Sequence, residues 1–295
     1  MTAPRNSSDS DRRTILISGL ALMAGAATAS LSLPGRALAA AFTSKRLTVT
    51  QQGTAGPKGR DILLIAGLAS GPDIWKGLAA RLPGHRLHLV HIAGFAHMPA
   101  GANATGPLLS SLVDELARYL TSGNIQAPVI IGHSMGGILA MMLALRRDLA
   151  IDRLMVVDML PEGAAMLGGT AQGLGYLAGQ LNGYLSGTKA GRQLLARMVM
   201  DTPGAEGSDP QVVAQALTEL AQIDLTPRLA ALTRPLKVVY ALPADKEMAA
   251  NQQQRYRSAY AQARTASLSG IGPSGHAIML DQPARFAEAV TTFLK

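Results

Sequence analysis

The chain has 295 residues, 48% of them hydrophobic, a formal net charge of +8 and no cysteine. That length supports one sizeable core, and the lack of cysteine excludes a disulfide framework and a lipid anchor on cysteine. The basic residues are scattered, without a stripe or an aromatic-interleaved patch, so nothing in the charge supports a nucleic-acid partner.

Residues 1–39 read as an export signal. Arg12-Arg13 precede a moderately apolar run from Thr14 to Leu33, and Ala37-Leu38-Ala39 fits a small-x-small cleavage site. The arginine pair is twin-arginine-like, which implies a periplasmic or secreted protein. The run is rich in Gly, Ala, Ser and Thr and marginal in length for a span, so no stable membrane span is expected after its removal.

Downstream, strands are expected at 46–50, 61–65, 87–92, 128–131, 154–157, 236–240 and 265–268. The second, Asp61-Ile62-Leu63-Leu64-Ile65, is a continuous apolar run of the kind that is buried on both faces. Helical spacing recurs at 108–120 and after residue 134, and the chain closes with an amphipathic helix at 282–294, with Pro283 in its first turn. Asp281 reads as the cap of that helix. The fold class is therefore α/β, with a mostly parallel central sheet and helices on both faces. Its core comprises 40–160 and 235–295. Between them, residues 161–234 hold no convincing strand and read as an inserted helical cap, rich in Gly, Leu and Met in its first half.

Gly132-His133-Ser134-Met135-Gly136 follows the fourth strand directly and opens a helix. A G-x-S-x-G sequence in that context is a nucleophile elbow, which lifts the serine hydroxyl above the sheet edge. A serine hydroxyl needs a base to take its proton, and the base needs a carboxylate to orient it. Of six histidines, only His276 follows Ser134, on a loop just after the last strand. Asp245, beyond the strand at 236–240, is the first candidate acid, and Asp158, ending the strand at 154–157, is the alternative. Two backbone amides must face the oxyanion, and Met135 and Leu68 are best placed to supply them. Gly67, Ala69 and Ser70 keep the loop around Leu68 small, and with His97 and His133 they are candidate pocket residues.

His85, His88 and His91 do not form a metal site on this reading, because His88 points to the opposite side of a strand from the other two. No metal and no cofactor are expected.

Ile65-Ala66-Gly67-Leu68, the elbow through Gly137, Pro243-Ala244-Asp245 and Gly275-His276 together resemble the α/β-hydrolase superfamily across roughly residues 46–295. The likeness is to its serine esterase and haloperoxidase-like branch with a helical cap. At the Ala66 position many of those relatives carry a histidine that braces the oxyanion loop. The resemblance implies hydrolysis of a small, moderately apolar carboxylic ester through an acyl-enzyme. Lactone, thioester, amide or carbon–carbon hydrolysis and cofactor-free perhydrolysis use the same groups and stay open, as does a non-catalytic binding protein. The oligomeric state is not legible.

Overall fold

Each apolar run expected to form a strand does so in the computed structural model, which describes residues 42–169, 190–191 and 205–295. The chain divides into two units, Met1–Leu38 and Ala39–Lys295, and every described residue lies in the second. The expected export signal at 1–39 lies outside the described residues, as does most of 170–204 in the expected cap.

The strands are β1 (Leu47–Gln52), β2 (Asp61–Ile65), β3 (Arg86–Ile92), β4 (Val129–His133), β5 (Arg153–Val157), β6 (Leu236–Ala241) and β7 (Ala266–Ile271). They form one sheet in the order β1-β3-β2-β4-β5-β6-β7. β1 runs antiparallel to β3, with Leu47 opposite Ile92, and the other pairings are parallel.

The side chains of β2 alternate between two separate apolar layers, as a two-residue period requires. Leu63 and Ile65 face the layer that holds α2 (Leu109–Ser122) and α3 (Met135–Ala144). Ile62 and Leu64 face the other, built around Trp75, from the turn preceding α1 (Lys76–Ala79), and Phe286. Having helices on both faces explains why the apolar run at 62–65 is continuous, whereas edge strand β1 buries only Leu47.

The segment between β5 and β6 begins with α4 (Gly163–Gly169) and resumes with α5 (Pro210–Leu220) and a 3₁₀ turn at Thr226–Ala231. A bridge between Glu162 and Asp224 brings its two ends together. Asp209 caps α5, its carboxylate accepting from the amides of Gln211 and Val212. After β6 come α6 (Lys246–Ala259), a helix not expected from the sequence, β7, the short α7 (Ile278–Asp281) and the closing α8 (Pro283–Leu294).

Because β2 to β7 run the same way, their carboxyl ends share one edge. The chain reverses its direction of travel across the sheet between β2 and β4, and such a switch point opens a crevice for a ligand. Ser134 follows β4 at that place.

Candidate active site

Ser134 has φ of +53° and ψ of −125°, a conformation that L-residues rarely adopt. It passes without a spacer from β4 into α3, and its amide bonds to the carbonyl of Val157 at 2.9 Å. Glycine is required on both sides of the bend. A Cβ on Gly132 would lie 2.1 Å from the carbonyl oxygen of Gly136, and one on Gly136 would lie 2.3 Å from that of Ile65. The sequence folds into a sharp, strained turn here because the glycines let strand, helix and neighbouring strand close on one another. Among positions where such strain occurs, functional sites are over-represented.

His276 stands on the loop between β7 and α7, half-buried. Its Nδ1 lies 2.7 Å from Oδ2 of Asp158. The other carboxylate oxygen of Asp158 accepts from the Ala241 amide at 3.0 Å and from the Tyr256 hydroxyl at 2.9 Å. Burial by itself would push this carboxyl up. The hydrogen bonds from His276, Ala241 and Tyr256 and the attraction of His276 outweigh it and hold the carboxyl below its usual range. With its proton on Nδ1 facing the carboxylate, His276 keeps Nε2 as the basic nitrogen.

Asp245 is not the partner of His276, contrary to the sequence expectation. Its exposed carboxylate caps α6, accepting from the Met248 amide at 2.8 Å. β6 instead contributes the backbone amide of Ala241. Asp158, the alternative, lies beside His276 because β5 is the immediate neighbour of β4 and ends opposite it, with Val157 paired to His133.

His133 fills the space beneath. It is buried, its ring centroid lies 4.6 Å from that of His276, and its Nε2–H donates to the His276 carbonyl at 2.9 Å. Burial, and then the neighbouring His276, drive its pKa down to about 3, so the ring stays neutral. A Cβ on Gly67 would stand 2.9 Å from His133 Nδ1 and 3.0 Å from Ser134 Cβ, which puts the turn after β2 directly against the elbow.

That turn, Gly67–Ser70, is closed by a hydrogen bond from the Ser70 amide to the Gly67 carbonyl at 3.2 Å. Its third residue, Ala69, has φ of +58°, the left-handed conformation of a type II turn. The Ser70 hydroxyl donates to the Leu68 carbonyl. Leu68 therefore follows the residue that touches Ser134, and Met135 follows Ser134 itself. Loop residue Gly275 is pinned by Asp281, whose carboxylate accepts from its amide at 2.7 Å. Asp281 does this in place of the expected capping of α8, where Gln282 holds the cap position.

The remaining histidines have other duties. His97 is exposed and its ring lies over Gly207. His88 is buried between Asp61 and Tyr119, His85 accepts from the Arg60 amide, and His91 bonds to the Phe95 carbonyl. Among the described residues no group of His, Asp or Glu is arranged to hold a metal ion, and no helix is long and apolar enough to cross a membrane. Tyr256 escaped the sequence reading because it lies on the unexpected helix α6, and a lone tyrosine there carries no signal of its role.

A family model described as the alpha/beta hydrolase family matches residues 62–289. The chain belongs to that family. This alpha/beta hydrolase is 26% identical over 201 residues to the pimeloyl-(acyl-carrier protein) methyl ester esterase of Vibrio vulnificus, covering 62% of the chain and 75% of that relative. In fold it is similar to a hydrolase from Pseudomonas aeruginosa, with a TM-score of 0.59, 22% identity and coverage of 84% of this chain and 94% of that one. It is also similar to the enol-lactonase from Burkholderia xenovorans, with a TM-score of 0.60, 19% identity and coverage of 84% and 96%. The family match places the chain among the alpha/beta hydrolases, and the solved structures agree with it in fold.

Proposed function

We propose that this alpha/beta hydrolase cleaves a small, moderately apolar carboxylic ester through an acyl-enzyme on Ser134. The observation that carries the reading is the 2.7 Å contact of His276 with Asp158, on a loop tied directly to His133, the residue preceding Ser134. In the first half-reaction His276 Nε2 takes the hydroxyl proton as Ser134 Oγ bonds to the ester carbonyl carbon. The carbonyl oxygen becomes an alkoxide facing the amides of Leu68 and Met135. Collapse breaks the bond to the leaving oxygen, which receives the proton from His276, and an alcohol departs. Water then repeats the steps: His276 takes its proton, hydroxide adds to the acyl carbon, and Ser134 leaves with the proton returned. Asp158 stays ionised throughout, holding the ring and stabilising the imidazolium.

The ester class is supported by the Vibrio vulnificus relative, which is named for a methyl ester.

A fluorophosphonate probe on the purified protein tests the proposal. Stoichiometric labelling that disappears in Ser134→Ala, together with loss of p-nitrophenyl ester turnover, is the expected result. Labelling that persists in Ser134→Ala would defeat it.

A further inference from the structure

Ser208 is one of the few buried polar side chains of the described residues, 5% exposed, and it lies outside the groups used above. It belongs to the segment between β5 and β6, just ahead of α5. Its hydroxyl donates to the Ala69 carbonyl at 3.1 Å and accepts from the Ala96 amide at 2.9 Å. The backbone on either side is stitched to the same loop: His97 N–H bonds to Gly207 O at 3.1 Å, and Asp209 N–H to Gly94 O at 2.7 Å. One hydroxyl thus joins three pieces of chain distant in sequence, the turn after β2, the loop after β3 and the inserted segment.

Both loops it joins are strained. Ala69, Ala96 and His97 have φ of +58°, +44° and +66° although none is glycine. Left-handed backbone costs an ordinary residue about 1–2 kcal/mol, so it persists only where the surroundings impose it. At Ala69 two constraints are visible. The Gly67–Ser70 hydrogen bond closes the turn, and Ser208 fixes the carbonyl that follows the left-handed residue. The first constraint also orients the next peptide plane. With the Gly67 carbonyl tied inside the turn, the Leu68 N–H of the same trans peptide must point the other way.

We propose that Ser208 is a positioning residue for the oxyanion side of the site. The inserted segment supplies a buried hydroxyl that locks the Gly67–Ser70 turn in the form that presents the Leu68 amide. The inference rests on the ester-hydrolase reading. The Ser208 hydroxyl bonds to Ala69 and Ala96 and not to Ser134, so its loss leaves the nucleophile intact and loosens a donor that matters only as the alkoxide develops. The effect should therefore fall on kcat, at roughly tenfold, below the ~10²–10³ lost with a whole oxyanion donor.

Ser208→Thr and Ser208→Val are nearly isosteric and differ in the hydroxyl, so any misfit of the added bulk cancels between them. Ser208→Val should turn over p-nitrophenyl esters about tenfold more slowly than Ser208→Thr, with KM within about twofold. A trifluoromethyl ketone, whose carbonyl oxygen becomes an alkoxide when Ser134 adds to it and its proton passes to His276, should bind Ser208→Val weaker by a similar factor. Ser208→Ala, which adds no bulk, should fall below the wild type in the same two readouts. Equal kcat and equal ketone affinity across the Thr and Val variants would overturn the proposal, as would a difference confined to KM. Turnover surviving in Ser134→Ala would instead defeat the underlying reading, whatever the Ser208 variants do.

Discussion

Asp158 combines a left-handed backbone, with φ of +48°, near-complete burial and three hydrogen bonds on its two oxygens. Asp245, an exposed helix cap, has one. The two carboxylates should therefore separate cleanly on mutation. Asp158→Asn replaces an acceptor facing His276 Nδ1 with an amide that can favour the wrong tautomer, and kcat should fall by on the order of 10³–10⁴. Asp245→Ala should leave turnover within about twofold while costing about 1 kcal/mol of stability through the lost cap. Steady-state kinetics and urea unfolding of both variants check this. Loss of turnover in Asp245→Ala without loss of folding would reverse the assignment.

At the scale of elements, the strands and the elbow were legible because burial on two faces writes itself as an apolar run, and close approach writes itself as glycine at 132 and 136. The pairing of His276 was not. Both acidic residues follow strands, and sequence spacing does not say which strand end reaches His276. Lateral register decides it: His133 lies opposite Val157, so Ser134 and Asp158 leave adjacent strands side by side. Four residues past β6, by contrast, Asp245 is already the N-terminal cap of α6. Helix α6 has a further part to play. Tyr256 stacks on Tyr240 with centroids 4.4 Å apart, and its hydroxyl reaches Asp158. Tyr256→Phe keeps the stack and removes one donor from the carboxylate, which raises the carboxyl pKa. With the carboxylate less firmly held, kcat should fall several-fold, on the order of what one hydrogen bond to a charged group is worth. Steady-state kinetics beside urea unfolding are the decisive readout, since a purely structural tyrosine would lower stability without lowering the kcat of the folded protein.

At the scale of the whole molecule, the buried histidines set the response to acid. Burial holds His133 and His88 below the ordinary imidazole value, His88 despite the carboxylate of Asp61 beside it. A histidine depressed in the folded state is protonated first in the unfolded chain, so the unfolded state binds more protons and stability falls as pH drops. The contribution is whole above about pH 6.5 and is lost progressively below it, down to the folded value of about 3 for His133. By pH 5 that ring alone accounts for roughly 2 kcal/mol, at 1.36 kcal/mol per unit. The carboxyls of Asp158 and Asp61 are lowered, so their stabilisation is intact at pH 5 and is lost only below the usual carboxylate range. Acid loss between pH 8 and pH 5 is thus assigned to imidazole. Urea unfolding at the two pH values should show it, and His133→Gln should remove about 2 kcal/mol of the difference. An unfolding free energy with the same pH dependence in that variant would mean that His133 titrates alike in both states, and that the ring beneath His276 is not sealed from water.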